Sequence, residues 1–126
     1  MAIDKKFIKQ ISSTSSVYVT ASSLGTNGYV KFSNGLKIVW GKTSDIISSN
    51  YRNKTKDVSF SSSFTNTVYT VIASLAGGIT NGDVKVKSMS TSGFTAFIDN
   101  LVPEGSGGAI MSGTGNITYI AIGKDN

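Results

Sequence analysis

GYVKFSNGLKIVWG, residues 28–41, decides the fold. Two short runs alternate apolar and polar residues on either side of Asn34-Gly35, a pair that tolerates the left-handed backbone of a tight hairpin. The pattern predicts strands over 29–32 and 36–43, joined by a type I′ turn with φ > 0 at both central positions. The two-residue period places Leu36, Ile38 and Trp40 together, read as the core face, with Lys37 and Val39 on the other. Trp40 is the only tryptophan. Its place in this alternation favours a core role over a sugar-stacking platform with Tyr29, Tyr51 and Tyr119.

Working outward, the pattern stays β to the C-terminus. A strand over 56–60 turns Val58 and Phe60 inward and Asp57 and Ser59 outward. VYTVIASL (68–75) is the most apolar run and predicts a central strand buried on both faces. VKVKSM (84–89) alternates with Lys85 and Lys87 on the wet face, and Phe94, Ala96 and Ile98 share one side of the next strand. ITYIAIG (117–123) is the last strand. The loop VPEGSGG (102–108) holds the only proline. Short strands separated by turn residues, with no helix-period segment between them, predict an antiparallel β-sandwich. N-terminal to the hairpin, Ile3, Phe7 and Ile11 are spaced as a short amphipathic helix, too short to stand alone. Residues 12–28 are Ser- and Thr-rich and read as an extended connector. The expected organisation is therefore a stem or connector over 1–27 and an all-β sandwich over 28–126.

Composition excludes much chemistry. With no cysteine, there are no disulfides, thiolate metal sites or cysteine nucleophiles. With no histidine, a Ser-His-Asp triad cannot form. Of the carboxylates (Asp4, Asp45, Asp57, Asp83, Asp99, Glu104 and Asp125), Asp99 and Glu104 flank one loop and could meet as a pair for glycoside hydrolysis, but every other one falls on a turn or a wet strand face, where solvated acids belong. The reading is a non-enzyme that needs no cofactor and no metal. The net charge of +5 rests on lysine, with Arg52 the only arginine. Scattered lysine without arginine suits a solvated surface better than phosphate or base recognition, so no nucleic-acid partner is expected. Paired lysines 54/56 and 85/87 read as protection of strand edges. No apolar run approaches the roughly 20 residues of a spanning helix, and MAIDKKFIKQ lacks the core of a secretory signal. The candidate contact residues lie in two loops. Asn50, Tyr51, Arg52 and Asn53 offer an aromatic face beside fixed donors and acceptors, and Asp99, Asn100 and Glu104 border the glycine-rich loop.

Four segments in order resemble one family. Gly28, Tyr29, Lys31, Gly35, Leu36, Trp40 and Gly41 resemble the opening motif of the C-terminal domain of phage tail-fibre proteins. Phe60, Phe64, Asn66, Tyr69 and Val71 in VSFSSSFTNTVYTV, then GFT (93–95), then YIAIG (119–123), resemble its later motifs. The chain departs from the pattern at Ser61, where the family commonly has proline, and at Tyr119, where it commonly has tryptophan. The rhythm is also similar to that of the H-type lectin β-sandwich. The resemblance implies the receptor-binding tip of a phage or prophage tail fibre, carried on the virion and made without a signal peptide. It also implies a homotrimer that recognises a bacterial surface glycan or surface protein and joins other tail-fibre components, without membrane insertion. The alternatives are a free-standing lectin of soluble carbohydrate, or a structural fibre adaptor.

Overall fold

The computed structural model describes residues 16–103 and 105–126; the helix expected over 3–11 and Glu104 lie outside them. Nine antiparallel strands form two stacked sheets. The larger sheet holds β1 (Val19–Ser23), β2 (Gly28–Phe32), β3 (Leu36–Lys42), β4 (Ile47–Ser48), β6 (Thr67–Gly77) and β9 (Thr114–Lys124). Its order is β1-β2-β3-β9, with β6 on the far side of β9 and the short β4 continuing beyond β3. The smaller sheet is β5 (Lys54–Ser59), β8 (Gly93–Asn100) and β7 (Gly82–Met89), with β8 central. The all-β sandwich expected from the alternation is what forms.

The layers meet through alternate residues. Val58, Phe94, Ala96, Ile98 and Val84 come from the smaller sheet; Val39, Val71, Ile117, Tyr119 and Ala121 come from the larger. An aromatic cluster fills one half of the core. Phe60 packs edge-on against Phe64 at 5.5 Å between centroids, and Tyr119 contacts both Phe60 and Phe94 at 5.6 Å. Edge-to-face geometry lets the positive rim of one ring meet the negative face of another. Ile47, Ile98, Met111, Ile117 and Val39 fill the other half, each almost wholly excluded from solvent.

Three expectations are corrected. The core face of β3 is Lys37, Val39 and Gly41, while Leu36, Ile38 and Trp40 lie half-exposed on the outer face. The inversion is possible because Lys37 does not enter the core as a bare charge. Its ammonium donates to the Ser63 carbonyl at 2.6 Å and to Asp125 Oδ2 at 3.1 Å, and lies 5.0 Å and 5.5 Å from the Tyr29 and Phe64 ring centroids. Second, 68–75 is not a central strand. Among the described residues β6 pairs only with β9, which makes it an edge strand, and Tyr69 and Ile72 are 57% and 66% exposed. Third, the hairpin turn is not type I′. Gly35 N–H donates to Phe32 O at 2.9 Å, and of the turn residues only Gly35 has positive φ, at 90°. This is a three-residue loop closed by a left-handed glycine. Asn34 serves it with its side chain, whose Oδ1 accepts the Leu36 N–H at 3.0 Å. Part of the presumed connector is also a strand: β1 pairs with β2 from Val19 opposite Phe32 to Ser23 opposite Tyr29.

The C-terminus locks onto this turn. Asp125 N–H donates to Gly35 O at 2.8 Å, and Asp125 Oδ1 accepts the Thr65 N–H at 2.8 Å. A side chain at Gly35 would meet Asp125 O at 2.8 Å. Burial pushes the Asp125 carboxyl up, but the Thr65 N–H together with Lys37 and Lys31 outweighs it and holds the group below its ordinary value of 3.8. A depressed folded pKa stabilises at pH above the ordinary carboxylate range, and the gain is lost as pH falls through the folded value. Asp125→Asn is therefore expected to cost about 3 kcal/mol at pH 7, because Lys37 stays buried without its counter-ion. In urea denaturation the gap to wild type should persist down to about pH 4 and close only below it; a gap that is the same at every pH would refute the assignment.

Candidate functional site

The sandwich has two unlike ends. At one, Ser33 N–H donates to Tyr18 O at 2.7 Å and Tyr18 N–H to Ser33 Oγ at 3.1 Å, so the described chain enters beside the Asn34-Gly35 turn. The C-terminal clasp is at this end too. At the other end β3 delivers its last residue, Lys42, opposite Thr118, and β4 pairs with Gly115 and Thr114. Here the chain forms loop 43–53, turn 78–81 and loop 101–113. Thr80 and Ser112 bridge the last two, by reciprocal backbone bonds at 2.9 and 3.1 Å.

The described members of both predicted contact groups lie at this second end, Asp99 and Asn100 as the last residues of β8, and the structure joins them. Asn53 takes a left-handed φ of 55°. It donates its N–H to Ile98 O at 2.8 Å, and its Oδ1 accepts from Asn100 N–H at 3.5 Å. Asn50 is exposed on a 3-10 turn, Ser49–Tyr51, and donates its N–H to the capping Ser48 Oγ at 3.4 Å. Arg52 Nε donates back to Ser49 O at 3.1 Å. The remaining candidates have other duties. Tyr51 is half-buried against the core, with the Lys56 ammonium 5.9 Å from its ring centroid, so it is no open stacking face. Asp99 turns to the outer face of the small sheet and pairs with Lys85 at 2.8 Å. That contact raises the Lys85 ammonium above its ordinary value. Asn100 is buried and accepts the Met111 N–H on Oδ1 at 2.9 Å, bracing loop 101–113 from beneath.

Sequence reasoning missed a cleft of about 550 Å3 on the flank between β3 and β5. Asn27, Lys42, Ser44, Asp45, Lys56 and Tyr119 are among its lining residues. The Lys56 ammonium pairs with Asp45 across its rim, and the Asp45 hydrogen bond raises the Lys56 pKa. Gly41 leaves room for two of the lining groups: a β-carbon there would lie 2.5 Å from the Tyr119 hydroxyl and 2.8 Å from Asn27 Oδ1. Nothing local in the sequence announces the site, because positions 27, 42–45, 56–61 and 119 meet only when the sheets stack. Ser61 and Tyr119, where the chain departs from the tail-fibre pattern, touch each other: Ser61 N–H donates to the Tyr119 hydroxyl at 2.8 Å. Proline at 61 would remove that donor and tryptophan at 119 that acceptor, so the two departures make one interaction. Among the described residues no group of three His, Cys, Asp or Glu side chains gathers as for a metal, and no helix is long and apolar enough to cross a membrane.

Comparison with known proteins now has a geometry to rest on. No curated protein sequence matches the chain. An N-truncated R2-type pyocin tail fiber superimposes with a TM-score of 0.65 at 13% identity, over 92% of this chain and 41% of that one. A C-terminal fragment of the P. aeruginosa R2 pyocin fiber gives 0.65 at 12% identity, over 98% of this chain and 30% of that one. An N-truncated R1-type pyocin tail fiber gives 0.61 at 16%, over 97% and 98%. At such identities the likeness is one of fold, and the chain spans well under half the length of the first two structures. The family described as "tail fiber protein gp53-like, C-terminal" matches residues 31–124. With that match running from β2 to the end of β9, the chain belongs to the gp53-like tail-fibre C-terminal family.

Proposed function

We propose that the chain is the receptor-binding head of a phage or prophage tail fibre, working without catalysis as a homotrimer on the virion tail and recognising a bacterial surface glycan. The carrying observation is the polarity of the fold. The described chain enters at the Asn34-Gly35 end, while loops 43–53 and 101–113 gather at the opposite end. A head mounted through the segment before β1 then presents those loops, with the exposed Asn50 and Asn53 foremost and the half-buried Arg52 beside them, away from the shaft. Residues 28–126 form the head, and β1 adds a strand to its larger sheet.

The trimer is supported by the outer face of the larger sheet. Val30, Ile38 and Ile122 lie in one register row, and Trp40, Ile120 and Ile72 in the next. Ile120 and Ile72 are 49% and 66% exposed. Contiguous apolar surface on this scale marks an interface, and the occupants proposed are two further copies of this chain. Three copies multiply weak single contacts without adding new ones.

Two expected outcomes test this. The double variant Asn50→Ala/Arg52→Ala should lower adsorption to host cells at least tenfold, while costing about 1 kcal/mol of stability through the lost Arg52–Ser49 bond. Unchanged adsorption would remove loop 43–53 from the contact. Ile120→Lys should turn a trimer into a folded monomer by light scattering, since the lysine meets water and not the core; a monomeric wild type would end the threefold arrangement.

A further inference from the structure

We infer that the flank cleft between β3 and β5 is a binding site for a neutral sugar unit, a hexose or hexosamine with adjacent hydroxyls. It is distinct from the loops at the distal end and rests on the glycan reading above for the class of partner.

The cleft gathers polar groups whose hydrogen-bonding capacity is not used up within the protein. Tyr119 is 5% exposed, and its hydroxyl reaches the cleft floor. That oxygen accepts the Ser61 N–H at 2.8 Å, and its own O–H has no acceptor among the described residues. Asn27, which lines the cleft, uses its amide oxygen on the Lys42 N–H at 2.8 Å, and its NH2 has no acceptor among the described residues. The Lys42 ammonium has no ion pair among the described residues, and Ser44 and Ser59 are also lining residues. Asp57 accepts from Thr95 Oγ1 on one oxygen at 2.8 Å, which leaves the second as an acceptor. A buried hydroxyl donor at the bottom, flanked by donors and one carboxylate oxygen, suits a ligand whose groups both give and accept hydrogen bonds.

Charge selects within that class. Lys42 and Lys56 stand against Asp45 and Asp57, and Lys56 is already engaged by Asp45. The lining charges sum to zero, so the cleft carries no net positive charge to favour a phosphate or a uronate over a neutral sugar. The volume of about 550 Å3 lies within the usual range for small-ligand pockets. Tyr119, the one aromatic residue among the lining side chains, is only 5% exposed, so the sugar is held by hydrogen bonds rather than by stacking. Affinity per site is accordingly low, in the millimolar range, and repetition over three copies makes it effective.

The test is an amide NMR titration of the full chain with methyl α-glucoside, methyl α-galactoside and N-acetylglucosamine, with glucuronate and inorganic phosphate as anionic arms. At least one neutral sugar should shift the amides of Asn27, Gly41–Asp45, Ser59 and Ser61 saturably. Lys42→Ala should weaken that binding about fivefold or more through loss of one charged donor. Ser59→Tyr, on an exposed edge position, should abolish it by filling the cleft while the spectrum stays native. Shifts confined to 46–53 and 99–103, no saturable shift with any neutral sugar, or tighter binding of glucuronate or phosphate would each overturn the cleft assignment. Cell adsorption, measured separately, decides the tail-fibre reading: loss of adsorption with an intact cleft titration fails that reading alone, and the reverse fails the cleft alone.

Discussion

The fold turns on one buried charge pair. Lys37 sits on the inner face of a core strand, 4% exposed, and Asp125, one residue from the chain's end, reaches it from the C-terminus. A lone ammonium there would be expelled and would take β3 with it, because a one-residue slip exchanges the faces of a strand. Asp125, the Ser63 carbonyl and two aromatic faces make the inward orientation tolerable. Choosing Lys37, Val39 and Gly41 as the inner set leaves Ile38 and Trp40 outside, where they join Ile120 and Ile122 in an apolar band. One pair thus fixes the register of the central hairpin, the anchorage of the C-terminus and the character of the outer surface.

The architecture was legible in the sequence because period-two alternation and turn residues are local signals. Phe94, Ala96 and Ile98 point inward, and Lys85 and Lys87 outward, as the pattern requires. What failed is equally physical. For residues 36–40 the hydrophobicity pattern selects the wrong face, since a lysine neutralised by a carboxylate 88 positions away looks like any wet lysine. For 68–75 apolarity on both sides suggested double burial, when the outer side is surface available for association. The turn was misread because Asn34-Gly35 fits two loop geometries, and the docked C-terminus is served by the longer one.

The candidate contact residues show the same division. Sequence placed 50–53 and 99–100 in loops, and the fold brings them to one end through the Asn53–Ile98 and Asn53–Asn100 bonds. It could not separate Asn50, which faces water, from Asn100, which is buried with its Oδ1 on the Met111 N–H. The flank cleft was invisible for a stronger reason, since its residues come from four separate stretches of chain. The hydrogen-bonded pair Ser61–Tyr119 shows that two deviations, each minor when read singly, can be one coordinated change at a shared position in space.

The separation of the two ends has an evolutionary corollary. The clasp, the aromatic cluster and the hairpin turn concentrate fold-defining contacts where the described chain enters, whereas loops 43–53 and 101–113 are tied to the core by Ile47 and Met111 and leave their tips exposed. Lengthening such a loop costs little, about 0.6 kcal/mol per doubling. The distal tips are thus free to diversify rapidly, while the half of the sandwich that holds the molecule together stays the same.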